Sequence, residues 1–155
     1  MGRLPPTIGQ GNHQFSCLNL ARYVTTIATS GTCYNLTLVD KITDHDGELI
    51  RDNSAEVDHV MNISSSTWDA VHTGMKMAGD SYSSLKVSGL SIAAKTGTAQ
   101  ERLTEPDHAT LITYAPYENP EIAMAIVLPH GYDSARNTEL GTAVYNIYYS
   151  LYPRN

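Results

Sequence analysis

Lys95-Thr96-Gly97 is the one short run in this sequence whose residue types, taken in order, have a mechanical reading. A cation, a hydroxyl and a bare stretch of backbone carried on a strand suit acyl transfer through an active-site serine. Three residues are a weak signal, and alone they are better read as an exposed lysine followed by a turn. Context strengthens them. The run follows the apolar Leu90-Ser91-Ile92-Ala93-Ala94, extends into Thr98-Ala99-Gln100, and precedes a hairpin and a C-terminal helix. Other reactive side chains carry less. Cys17 and Cys33 flank a helix of about 12 residues, which would hold them about 18 Å apart. A disulfide needs Cα atoms within about 7 Å, so both read as free, mostly buried thiols. The six histidines (His13, His45, His59, His72, His108, His130) include no pair at helical ligand spacing and have no cysteine pair nearby, so neither zinc nor any cofactor is expected.

The elements that must position that run follow from periodicity. Ser16 is a candidate N-cap for a helix whose Leu20, Val24, Ile27 and Ala28 fall on one face, and Gly31 follows as a left-handed C-terminal cap. Leu36, Leu38 and Ile42 suggest extended chain, Asp44 to Gly47 a turn, and Glu48 to Arg51 a polar hairpin arm on the surface. Capping candidates Ser65-Ser66-Thr67 and the spacing of Trp68, Val71, Met75 and Ala78 predict a second helix. Gly79 to Gly89 reads as a flexible loop leading into a strand at about Leu90 to Ala99. Ala109 to Ala115 and Ile122 to Leu128 form hairpin arms around Pro116-Tyr117-Glu118-Asn119-Pro120, and the almost wholly apolar second arm should be buried on both faces. Thr138 to Leu151, with Leu140, Val144, Ile147, Tyr148 and Leu151, predicts a helix closing over the sheet. The expected fold class is α+β, with three antiparallel strands and packing helices.

Composition excludes several functions. The chain has 155 residues, 41% of them apolar and 17% charged, which suits one globular domain with a core. A formal charge of -6 supplies no field for a polyphosphate, so nucleic acid is not an expected partner. Its apolar stretches are strand-sized, well short of the roughly 18 residues of a membrane helix. The opening Met1 to Pro6 lacks the apolar run of a secretory signal.

Further blocks give these elements a family resemblance. Ile8-Gly9-Gln10-Gly11, then Leu18 through Val24, Ile27-Ala28 with Gly31-Thr32, and Leu38-Val39-Asp40-Lys41-Ile42 resemble consecutive blocks of the transpeptidase domain of class B penicillin-binding proteins. Val71-His72 with Gly74-Met75 is similar to the helix before that family's third motif, and Ala94 to Gln100 resembles the motif itself. His108-Ala109, Tyr114-Ala115-Pro116 and Asn119 to Ala123 resemble the hairpin that follows. The blocks run in order along nearly the whole chain, and the elongation-type enzymes of anaerobic Gram-positive bacteria look most similar.

The resemblance implies roles for individual residues. Lys95 would line the groove and turn its electrostatics toward an anionic substrate. Thr96 would offer its hydroxyl to the terminal carboxylate of a D-Ala-D-Ala peptide or a β-lactam, and Gly97 would let the substrate backbone lie close. The Thr98 N–H would be one of two oxyanion-hole donors. Gln100 is a further substrate contact or simply a polar strand end. Lys95 and Thr98 are thus the implied catalytic residues. The family's nucleophile lies in an upstream Ser-x-x-Lys, followed by a Ser-x-Asn. No Ser-x-Asn occurs here, and Ser83-Ser84-Leu85-Lys86 fits the first motif only by its letters, in the loop before the strand.

Residues 1–155 are therefore expected to be a partial transpeptidase domain lacking both upstream segments and inactive alone, because no acyl-enzyme forms without the serine. Two departures stand out: Ser16-Cys17-Leu18-Asn19 where the family has Thr-Pro-Leu-Gln, and Thr110 and Leu111 where aromatics usually follow His-Ala. The parent would cross-link peptidoglycan stem peptides and bind penicillins at the extracytoplasmic face of the membrane. The expected partners are stem peptides and β-lactams, the missing part of the same domain, and other copies of this chain through an open strand edge at Ile122 to Leu128. Two alternatives keep Lys95 and Thr96: a non-catalytic peptide-binding or interaction module, and a β-lactamase or D,D-carboxypeptidase relative.

Overall fold

The computed structural model describes residues 15–99, 104–132 and 135–154. The first helix, α1 (Cys17–Ala28), starts where a hydroxyl can hold its free N–H groups. Ser16 Oγ accepts from Asn19 N at 3.2 Å while Asn19 Oδ1 accepts from Ser16 N at 3.1 Å, a capping box in which Asn replaces the usual Glu or Gln. The helix ends at its C-cap, Thr29, and the left-handed residue after it is Ser30, at φ 52°, one position before the glycine expected in that role; Gly31 follows at φ +107°, and the N–H groups of Ser30 and Gly31 donate to Ile27 O and Thr26 O at 2.8 Å each.

Four short strands come next: β1 (Thr32–Tyr34), β2 (Lys41–Thr43), β3 (Leu49–Asp52) and β4 (Val57–Val60). β2 and β3 form the exposed hairpin expected around Asp44 to Gly47, whose turn is tied by Asp44 Oδ1 accepting from Asp46 N and Glu48 N at 2.9 Å each. β1 and β4 pair antiparallel, an arrangement that periodicity did not indicate. Arg22 fastens α1 to this ribbon, with Nε donating to Tyr34 O at 2.8 Å and Nη2 lying 2.6 Å from Asp58 Oδ2.

The second helix, α2 (Ser65–Ser81), is capped by Ser64 rather than by a residue of Ser65 to Thr67, and it continues through Gly79, where the sequence pattern predicts the start of a loop. A Cβ at Gly79 would sit 2.2 Å from Ile92 O, so this glycine lets helix and strand touch rather than ending the helix. The sheet is β5 (Ala93–Ala99), β6 (His108–Ala115) and β7 (Ile122–Leu128), antiparallel in the order β5-β6-β7. Its first strand starts at Ala93 rather than Leu90, because Leu90 N donates to Val87 O in a turn that Gly89 enters at φ +70°.

Two cores sandwich the sheet. On one face Val24, Ile27, Trp68 and Met75 of α1 and α2 pack on Ala93 and Tyr114. On the other, Leu85, Ile92, Ala94, Leu111, Ala115 and Ile126 pack around Tyr145 of α3 (Ala135–Leu151). This helix covers the sheet with a face other than the expected one. Asn137, Thr138, Gly141 and Tyr145 are buried, whereas Leu140, Ile147 and Leu151 are exposed. The reason is local: Gly141 admits Leu111, and the Tyr145 hydroxyl meets Thr113 Oγ1 at 3.0 Å, which itself donates to Ala93 O at 2.8 Å. β7 is half-buried along most of its length, less than the double-sided burial expected, because it is an edge strand among the described residues.

Candidate active-site strand

Lys95, Thr96, Gly97 and Thr98 all lie on β5, whose pairing with β6 runs unbroken from Ala93–Tyr114 to Ala99–His108. β5 is an edge strand among the described residues, so one of its long sides carries no partner strand. The carbonyls of Ala93 and Gly97 accept from Thr113 and Thr110 of β6. These carbonyls therefore point into the sheet, and alternation along an antiparallel strand turns the backbone N–H and C=O of Thr96 and Thr98 outward, to the open side. An extended ligand can pair there as an added strand. The Lys95 side chain is exposed and its ammonium donates to Thr96 O, on that same open side.

Two neighbours set the details, and sequence reasoning named neither role. Thr96 Oγ1 lies 2.9 Å from the hydroxyl of Tyr82, the residue capping α2. Thr110 Oγ1 donates to Gly97 O at 3.0 Å and would lie only 2.5 Å from a Cβ at Gly97. The glycine is therefore required by its strand partner as well as suited to a close ligand. No periodicity predicts either contact, since each depends on which residues the fold sets face to face.

Gln100 lies outside the described residues, as do His13 and the block Ile8 to Gly11. Ser83 sits in a turn and is exposed, and Lys86 Nζ donates to Asp80 O at 2.8 Å, an arrangement unlike a helical nucleophile with its lysine. A hollow of about 470 Å³ between α1, α2 and the β6–β7 loop is lined by Ser30, Asp69, His72 and Tyr117 rather than by β5. In it His72 bridges Ser30 Oγ at 3.1 Å and the buried Tyr114 hydroxyl at 2.6 Å. Burial pushes the Tyr114 phenol well above its ordinary range. Among the described residues, the side-chain groups able to hold a metal ion lie on β1 and β4 and in the β2–β3 turn, not on β5.

Comparison with known proteins decides what this arrangement is part of. Residues 6–149 match the penicillin binding protein transpeptidase domain. The chain belongs to that family. Penicillin-binding protein 2A of Bacillus subtilis (strain 168) is 31% identical over 159 aligned positions, covering 88% of this chain and 22% of that protein. Penicillin-binding protein 2B of Streptococcus pneumoniae (strain R6) is 28% identical over 158 positions, covering 91% of this chain and 23% of the relative. This transpeptidase-family chain thus spans less than a quarter of the length of these two relatives. Among solved structures, the imipenem acyl-enzyme complex of penicillin-binding protein A from M. tuberculosis superposes with a TM-score of 0.81 at 28% identity, over 90% of this chain and 32% of that one. The fold is α+β, and its three-stranded sheet with packing helices matches a portion of the penicillin-binding-protein transpeptidase fold.

Proposed function

We propose that this chain is the C-terminal part of a class B, elongation-type D,D-transpeptidase domain that cross-links peptidoglycan stem peptides and is acylated by β-lactams when complete. The observation that carries the reading is the placement of Lys95 to Thr98 on an edge strand with one side open, within a family match covering most of the chain. Acyl transfer would pass through a seryl ester. The serine attacks the penultimate D-Ala carbonyl, the terminal D-Ala leaves as an amine, and the acyl group moves to the acceptor amine of a second stem peptide. In that step Lys95 supplies positive charge beside the substrate carboxylate, Thr96 a hydroxyl to it, and the Thr98 N–H a donor to the developing oxyanion. Gly97 and Gln100 complete the substrate contacts.

The nucleophile would come from an upstream segment carrying Ser-x-x-Lys and Ser-x-Asn, paired along the free edge of β7. The parent would work at the extracytoplasmic face of the membrane; no described helix here is long and apolar enough to cross one. Without its partner, that edge would drive self-association, and a strict monomer in sedimentation at high concentration would contradict this. The catalytic roles are tested in the complete domain by the second-order rate of penicillin acylation. Lys95→Ala should lower it at least a hundredfold, a loss typical of one transition-state contact. A rate within threefold of the unsubstituted domain would refute the assignment.

A further inference from the structure

Strand pairing brings together side chains that their positions in the sequence keep apart. Cys33 of β1 stands directly opposite His59 of β4, which places the two on one face of the ribbon. Asp58 folds back beside them, its Oδ2 3.0 Å from His59 Nδ1. A sulfur, a carboxylate oxygen and a ring nitrogen from these three residues all lie within 4.8 Å of one another. Cys33 is buried whereas Asp58 and His59 are exposed, so the thiol forms a fixed floor under two side chains free to adjust. Arg22 approaches from α1 and holds Asp58 Oδ2 at 2.6 Å, which leaves the second carboxylate oxygen available.

We propose that Cys33, Asp58 and His59 form a binding site for a divalent transition-metal ion of the zinc type, with solvent in the fourth position. Tetrahedral zinc holds sulfur at about 2.3 Å and nitrogen or oxygen at about 2.0–2.2 Å, so its ligand atoms lie roughly 3.3–3.6 Å apart. Contraction of this cluster by about 1 Å is within reach of rotamer changes in the two exposed side chains. The thiol releases one proton on binding, His59 coordinates as the neutral ring, and thiolate plus carboxylate match the two charges of the ion. A thiolate–imidazole–carboxylate set selects zinc or cobalt over magnesium or calcium. Such an ion would clamp β1 to β4 beside the end of α1.

The test is titration of the reduced 155-residue chain with Co²⁺, whose thiolate complex absorbs by charge transfer, followed by displacement with Zn²⁺. The expected result is one equivalent of bound Co²⁺ with a charge-transfer band that Zn²⁺ abolishes. Cys33→Ser should remove the band and Cys17→Ser should retain it. His59→Ala, at an exposed position where the fold tolerates the change, should weaken Co²⁺ binding at least tenfold with an unchanged far-ultraviolet circular dichroism spectrum. The absence of stoichiometric binding would overturn the assignment. So would a band surviving in Cys33→Ser, or wild-type affinity in His59→Ala.

Discussion

At the level of single residues, Gly97 shows how a position can answer to the fold and to a ligand at once. A methyl group there would press on Thr110 Oγ1 and break its hydrogen bond to Gly97 O. Gly97→Ala should therefore destabilise the chain by about 1–2 kcal/mol, the usual range for an added methylene in a tight contact. In a Thr110→Ala background the clash disappears. The same substitution should then cost at least about 0.5 kcal/mol less, a coupling that a double-mutant cycle in urea resolves. Equal costs in both backgrounds would show that Thr110 does not set the requirement. The residue types from Lys95 to Thr98 were legible in the sequence because they are contiguous and lie on one strand. Tyr82 and Thr110 were not legible, because nothing in their spacing states that one caps a helix against Thr96 and the other stands across from Gly97.

At the level of elements, the start of α1 and the hairpin turn could be read from local chemistry, as Ser16 with Asn19 and the Asp44 turn illustrate, whereas α2 is capped by Ser64, just before the candidates Ser65 to Thr67. Features decided by contact could not. Gly79 has the composition of a helix breaker yet lies inside α2, because Ile92 O occupies the space where its side chain would be. The apolar stripe Leu140, Ile147 and Leu151 has the spacing of a core face, but the small and hydrogen-bonding face of α3 packs on the sheet instead. β1 and β4 are short and pair over some 25 residues, so no local pattern announces them. Two glycines of one helix make the point testable. Gly79→Ala should destabilise by more than about 2 kcal/mol, since backbone rather than a movable side chain must yield. Gly74→Ala, with open space around it, should stabilise by up to about 1 kcal/mol through helix propensity. Shifts of the same sign in the urea midpoints of the two variants would contradict this picture of α2 against β5.

At the level of the whole molecule, buried phenols tie stability to alkaline pH. Burial pushes the hydroxyls of Tyr114 and Tyr145 far above the ordinary range, and burial together with nearby Glu121 raises Tyr149 to about 12. A phenol raised on folding holds its proton more tightly in the native state. Its stabilising contribution is therefore complete below the unfolded value of about 10 and is lost as pH climbs through the folded value. The urea midpoint should show no loss from these groups between about pH 7 and 9, then fall between about pH 10 and 12, with Tyr149→Phe removing part of the fall. A midpoint that holds level to pH 12 would show that the phenols are not buried as described.

The molecule as a whole leaves both outer strands of its described sheet open, β5 toward a ligand and β7 toward an upstream segment that would bring the serine to the cleft. Labelling with a fluorescent penicillin, with and without an upstream segment carrying Ser-x-x-Lys and Ser-x-Asn, tests this most directly. The chain alone should give no covalent adduct, and the mixture should give one on the added segment's serine that is lost in Lys95→Ala. A stable adduct on the chain alone, at Ser83 or elsewhere, would contradict it.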